Sequence, residues 1–163
     1  MPYPGITVRP ATVDDAYPLA DIVLAADAPA MSLSERAEWR DGSAAWSREI
    51  VTAAAPDNAL SVIMRDGESI GRLRVTRTEF TDGDGRTARC VRLAGIQLVP
   101  AAQGAGIGTA LIRDLQGEAA REGLPLLIGV EKNNTGARRL YERLGCRLID
   151  QTDAEFLLLW TGR

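Results

Sequence analysis

The strongest constraint on the fold is a change of pattern near residue 100. Before it, three strand-like runs follow one another with only tight turns between them: 59–65 (ALSVIMR), 69–80 (SIGRLRVTRTEF) and 88–99 (ARCVRLAGIQLV). Asp66-Gly67 separates the first two and Asp82-Gly83-Asp84-Gly85 the last two. Both are hairpin signals, so these strands should pair antiparallel in order. After it, a glycine-rich turn at 103–108 opens a helix reaching about residue 122, with Ile107, Leu111, Leu115 and Ala119 as its buried stripe and Gly123 as its cap. Residues 124–131 (LPLLIGVE) then read as a continuous apolar strand. A strand, a crossover helix and a strand imply a parallel or splayed neighbour pair. The fold class is therefore α+β, an α/β sandwich with a mixed central sheet of six to seven strands flanked by helices.

The remaining segments fit that frame. Residues 6–9 (ITVR) form a first strand ended by Pro10, and Thr12 offers a helix N-cap with Asp15 three residues on. Val13, Ala16, Leu19, Ala20 and Val23 make an apolar stripe in which Pro18 should kink or split the helix. Residues 34–55 read as a second helical region interrupted near Asp41-Gly42. A last helix spans 134–144, from Asn134 to Gly145, and two strands follow at 146–150 and 155–160. With no internal repeat and no low-complexity stretch, residues 1–163 read as a single domain.

Composition excludes several chemistries. The chain has 163 residues and no histidine, so a Ser-His-Asp triad, a Cys-His pair or a His-ligated zinc cannot exist. Proton transfer must use Asp, Glu, Tyr, Cys, Lys132, a terminus or water. The net charge of −3 argues against a general nucleic-acid binder. No apolar run approaches the ~20 residues of a membrane helix. The opening MPYPGITVRPATVDDA lacks the basic start and apolar stretch of a signal peptide. Cys90 and Cys146 show no metal-site spacing and no disulfide framework, which gives the expectation of a cytoplasmic protein with reduced thiols and no metal.

The segment IQLVPAAQGAGIGTALI carries most of the functional information. Gly104, Gly106 and Gly108 leave a backbone bare of Cβ atoms between a strand and a helix, so several N–H groups can point at one anion. The helix dipole adds about half a positive charge, which suits a phosphate or pyrophosphate. A Walker A loop needs Gly-Lys-Ser/Thr, but Thr109 follows Gly108 directly. A dinucleotide fingerprint needs a final Gly or Ala; counted from Gly104 it meets Thr109, and from Gly106, Leu111. The upstream antiparallel strands also oppose a doubly wound fold.

Gln103-x-x-Gly106-x-Gly108, after a strand ending Leu98-Val99-Pro100 and before an amphipathic helix, resembles the acyl-CoA pyrophosphate loop of the GNAT superfamily of N-acyltransferases. Asn134-Thr-Gly-Ala137-Arg-Arg-Leu140-Tyr141-Glu-Arg-Leu144-Gly145 resembles that family's C-terminal helix, and ITVRPATVDDA its opening. The resemblance spans roughly residues 6–160. One departure is Cys146, where the family often has Phe; it changes packing near the cofactor's thiol end.

The resemblance implies a sheet splayed between the strands at 88–99 and 124–131, with acetyl-CoA as co-substrate in the gap. The pantetheine arm would pair with backbone near Ile96, Gln97 and Leu98, and the Leu98 N–H would stabilise the oxyanion. The pyrophosphate would sit on Gln103, Gly104, Ala105, Gly106, Ile107, Gly108 and Thr109. Asn134 and Ala137 would meet the pantetheine arm. Tyr141 would protonate the leaving thiolate, a role open to a phenol of ordinary pKa about 10. The attacking amine must lose a proton, to Glu131 first, or to Glu79, Asp82 or a water held by Gln97. The acceptor, a primary amine of a small molecule or peptide, would enter a pocket from residues 25–55 and the strands at 69–92, where Met31, Trp39 and Trp46 offer apolar walls and Arg36, Glu38 and Arg40 charge. A homodimer is expected, with the apolar FLLLW (156–160) as core or interface. A catalytically silent acyl-CoA sensor is the rival reading.

Overall fold

The computed structural model describes residues 3–27 and 30–162. In chain order the elements are β1 (Ile6–Pro10), a 3-10 turn (Val13–Asp15), α1 (Ala16–Asp27), α2 (Leu33–Ala53), β2 (Asn58–Arg65), β3 (Glu68–Thr81), β4 (Thr87–Leu98), a second 3-10 turn (Pro100–Ala102), α3 (Ile107–Glu122), β5 (Leu126–Glu131), α4 (Thr135–Arg143), β6 (Arg147–Gln151) and β7 (Glu155–Trp160). The seven strands form one mixed sheet in the order β1-β2-β3-β4-β5-β7-β6. The expected fold class holds, at the upper strand count. Two compact units divide the chain: residues up to Arg74 with Gly95–Gly108, and Val75–Ala94 with the chain from Thr109 onward.

In the first unit, β1 pairs antiparallel with β2 from Ile6↔Arg65 to Pro10↔Ser61. Asp66 (φ 51°) and Gly67 (φ 84°) both take the left-handed conformation, which makes the β2–β3 connection the two-residue turn that matches strand twist. Leu19, Ile22, Leu60 and Val62 form a core cluster against Ile50, Val51 and Met64. The Thr12 N–H and hydroxyl donate to Asp15 Oδ2 at 2.7 and 3.2 Å, and Arg9 grips the same carboxylate through both terminal nitrogens at 2.8 and 2.9 Å.

One helix expectation holds and one needs correction. The stripe from Val13 to Val23 is split near Pro18, between a 3-10 turn and an α-helix. A 3-10 turn comes first and α1 begins at Ala16, so Pro18 falls in the first helical turn, where the missing N–H had no intrahelical acceptor. The break near Asp41-Gly42 is absent, and α2 runs unbroken through both. A capping box fixes its start, with Glu35 N–H donating to Ser32 Oγ at 3.2 Å and Ser32 N–H to Glu35 Oε2 at 2.7 Å. Buried Ala44 and Ser47 anchor the helix beyond Gly42, and one interior glycine costs only about 1 kcal/mol.

In the second unit, β4 and β5 pair parallel at Val91↔Leu126, Arg92↔Leu127 and Leu93↔Ile128. β5 pairs antiparallel with β7 along its whole length, Leu126↔Trp160 to Glu131↔Glu155. The apolar run FLLLW is thus an inner strand between β5 and β6, with Leu158 fully buried. β6 is the edge, and a bulge between Leu148 and Asp150 interrupts its register, a common protection of a free edge. Leu111, Leu115 and Ala119 of α3 are buried as the stripe required. Among the described residues, no helix is long and apolar enough to cross a membrane.

Candidate active site

The glycine turn lies where the sequence pattern put it, in the first unit. β4 ends at Leu98, a 3-10 turn spans Pro100–Ala102, and α3 starts at Ile107. Gly104 (φ 74°) and Gly106 (φ 83°) are left-handed, a conformation costing any other L-residue roughly 1–2 kcal/mol. Nothing lies within 4 Å of a Cβ built on Gly104 or Gly108, so both face open space. The first N–H groups of α3 have no intrahelical acceptor. Open space, bare backbone and free donors at a helix N-terminus together form a cradle that fits a pyrophosphate. Two side chains brace it. Gln103 Nε2 donates to the Leu98 carbonyl at 2.9 Å, tying the turn to the end of β4. The Tyr3 hydroxyl donates to the Ala105 carbonyl. Tyr3 lies outside every regular element, and nothing local in its sequence marks it.

The end of β4 offers backbone groups on one side only. Val99 N–H donates to Ile70 on β3 at 2.9 Å, so strand alternation turns the Leu98 N–H and the polar groups of Ile96 away from β3. The Gln97 carbonyl faces β3, 2.7 Å from a Cβ built on Gly71. Gln97 Oε1 accepts from Arg72 Nε at 2.9 Å, so its side chain is anchored and one lone pair of its oxygen is already used. Burial, followed by the like charge of Arg74, holds the Arg72 guanidinium below its ordinary pKa.

The second unit holds the other candidates. Asn134 caps α4, its Oδ1 accepting from Ala137 N–H at 3.1 Å. The Tyr141 ring is buried (7% exposed). Its hydroxyl has no hydrogen-bond partner among the described residues, yet it is not a buried unpaired atom, so it opens to solvent. Burial, then the neighbouring Cys146 thiol, raises the Tyr141 pKa. Burial pushes Cys146 itself up to about 11. Gln116 Nε2 donates to the Leu144 carbonyl at 2.8 Å and closes the C-terminal end of α4; α3 periodicity alone gave no hint of that bond. Glu131 is exposed at the end of β5, in a cleft shared with Lys132, Asn133, Thr152, Ala154 and Glu155.

Other candidates have structural duties. Asp82 Oδ1 accepts from the N–H groups of Asp84 and Arg86, both at 2.9 Å, as the clamp of the β3–β4 turn. Glu79 is exposed on β3 near that hairpin. Arg40 is held by both oxygens of Asp21 at 2.6 and 3.1 Å, with its guanidinium 4.4 Å from the Tyr17 ring. Met31, Arg36 and Trp39 are half-buried and Glu38 is exposed; Ala28 and Pro29, within the same acceptor range, lie outside the described residues. Trp46 is different, because it lies under the guanidinium groups of Arg72 and Arg74. Among the described residues, no cluster of three or more potential ligands could hold a metal ion.

Comparison with known proteins agrees with this geometry. No curated protein sequence matches the chain. Among solved structures, the PaiA N-acetyltransferase of Thermoplasma acidophilum in complex with coenzyme A is similar, at 15% identity and a TM-score of 0.75 over 96% of this chain and 98% of that one. A GNAT family acetyltransferase from Elizabethkingia anophelis with acetyl-CoA bound is 21% identical, with a TM-score of 0.65 over 98% and 99%. An aminoglycoside N-acetyltransferase in complex with CoA is 18% identical, with a TM-score of 0.69 over 93% and 95%. These likenesses concern the fold. The acetyltransferase (GNAT) family model matches residues 26–146, a stretch that contains β4, the glycine turn and α4. The chain belongs to the acetyltransferase (GNAT) family.

Proposed function

We propose that this chain is an N-acetyltransferase that moves an acetyl group from acetyl-CoA directly to a primary amine of a small molecule or peptide. The observation that carries the reading is the turn after β4, with two left-handed glycines and an open helix N-terminus. Family membership supports it. The residues from Gly104 to Thr109 hold the pyrophosphate through backbone N–H groups; Gln103 braces the turn instead, its own N–H donating to the Pro100 carbonyl at 3.1 Å. Ile96 pairs with the pantetheine arm through both its backbone groups, which leaves the Leu98 N–H for the thioester carbonyl. The Leu98 carbonyl already accepts from Gln103 and keeps one lone pair. Asn134 and Ala137 complete the cofactor contacts.

The neutral amine attacks the thioester carbonyl, forming a C–N bond while the Leu98 N–H stabilises the oxyanion. The C–S bond then breaks and the thiolate departs. Glu131, or a water, takes the proton from the amine. Tyr141 serves the thiolate. Its phenol stays protonated at neutral pH, since burial raises its pKa. It donates a hydrogen bond to the developing charge on sulfur and can pass its proton to the departing thiolate. The test is incubation with isotope-labelled acetyl-CoA and a panel of amines. Label should appear in an amide, in step with free CoA thiol. Acetyl-CoA binding with no labelled amide would instead identify a silent sensor.

A further inference from the structure

A cationic site lies beside the end of β4, entirely within the first unit. Arg72 and Arg74 of β3 place their guanidinium carbons 5.5 and 5.1 Å from the centre of the Trp46 ring. Arg72 bonds Gln97 through Nε, which leaves both terminal nitrogens for other partners. A Cβ on Gly95 would come within 3.3 Å of Arg72 Nη2, so bare backbone at Gly95 gives the guanidinium its room. Arg9, Arg40, Arg77 and Arg138 each meet a carboxylate of this chain. Among the described residues Arg72 makes no ion pair; its side-chain partner is the neutral Gln97 amide, and Asp27 acts on it only at longer range. Its terminal nitrogens are not among the buried unpaired atoms, so they are open to solvent. The fork is thus oriented, partly desolvated, crowded by a second cation and accessible. That arrangement suits a planar anion, bound bidentately and more strongly than at the surface.

We infer that Arg72, backed by Trp46 and flanked by Arg74, sets acceptor specificity, and that the acceptor is a small amine also carrying a carboxylate, such as an amino acid. The inference rests on the acetyltransfer reading above. The carboxylate meets the two terminal nitrogens of Arg72, apolar substituents lie on Trp46, and the amine reaches towards Gln97 and Leu98. Arg72 depends on Gln97 for its orientation, so the acceptor's anchor and the strand that binds the thioester are held together.

The test compares each common amino acid with its own carboxamide, and with polyamines, using labelled acetyl-CoA. At least one acid should exceed its carboxamide about 10- to 100-fold in kcat/KM, as a charged hydrogen-bonded pair implies. Arg72→Lys should erode that ratio and Arg72→Gln should bring it near one. Both variants should keep the stabilisation given by acetyl-CoA, which shows that they fold. Equal use of acids and carboxamides, or preference for polyamines, would overturn this inference alone. So would equal loss of both substrates in Arg72→Gln, which would make Arg72 a clamp for Gln97. Failure to acetylate any amine would remove the acetyltransfer reading and this inference together.

Discussion

The same substitution, glycine to alanine, should have opposite effects at two positions in the first unit. Gly71 of β3 is buried, and a Cβ there would lie 2.7 Å from the Gln97 carbonyl oxygen, 2.8 Å from Ile63 Cδ1 and 2.8 Å from Leu98 Cδ2. The two methyl groups belong to flexible side chains and can give. The carbonyl is backbone, so the Gln97–Leu98 segment must move. Overpacking of this kind costs about 1–3 kcal/mol, and at about 2–4 °C per kcal/mol for a chain of this size the midpoint should fall by roughly 2–12 °C. Gly42 sits in α2 with nothing within 4 Å of its Cβ position. There alanine should stabilise by about 1 kcal/mol through helix propensity, raising the midpoint by roughly 2–4 °C. Because Gly71 abuts the strand end proposed to pair with pantetheine, Gly71→Ala should also shrink the stabilisation that acetyl-CoA gives. Thermal unfolding with and without acetyl-CoA reads all three effects. A Gly71→Ala midpoint within 1 °C of the parent would refute the argument that the contact with Gln97 is unyielding.

Further outcomes follow from single sites. Tyr141→Phe should lower kcat by roughly 10- to 100-fold with the KM for acetyl-CoA nearly unchanged; unaltered steady-state turnover would remove Tyr141 from the chemistry. Gly106→Glu places a carboxylate and a strained φ in the anion turn, so calorimetry should detect no acetyl-CoA binding. Arg9 holds the Asp15 carboxyl down to about 2, against an ordinary 3.8. A depressed acid stabilises the fold above its unfolded pKa and loses that contribution as pH falls through the folded value, so roughly 2 kcal/mol should disappear between about pH 5 and 2. Urea titrations should show this loss in the parent and not in Asp15→Asn; identical pH profiles would discount the pair.

Local chemistry carried much of the architecture. Asp66-Gly67 announced its turn because both positions need positive φ, and Ile107, Leu111, Leu115 and Ala119 announced the buried face of α3 by spacing. The glycines at 104 and 106 were legible for the same reason. Where sequence reading erred, a local rule was applied without its context. Gly42 weakens a helix that buried anchors on its far side maintain. Long-range pairings left no trace. Nothing near Tyr3 points to Ala105, and nothing in β3 says that Arg72 reaches Gln97 across 25 residues of sequence. The place of β7 between β5 and β6 is likewise set by tertiary pairing, which explains why so apolar a segment comes last among the strands.

The central claim is that the glycine turn binds the pyrophosphate of acetyl-CoA. Thermal unfolding of the purified protein with acetyl-CoA, CoA, NAD and ATP tests it directly. Saturation to about 100 times Kd adds about 2.7 kcal/mol, or roughly 5–10 °C in midpoint. A shift of that size with acetyl-CoA and CoA, and none with NAD or ATP, is the predicted result. A shift confined to NAD or ATP, or none with any of the four, would contradict it.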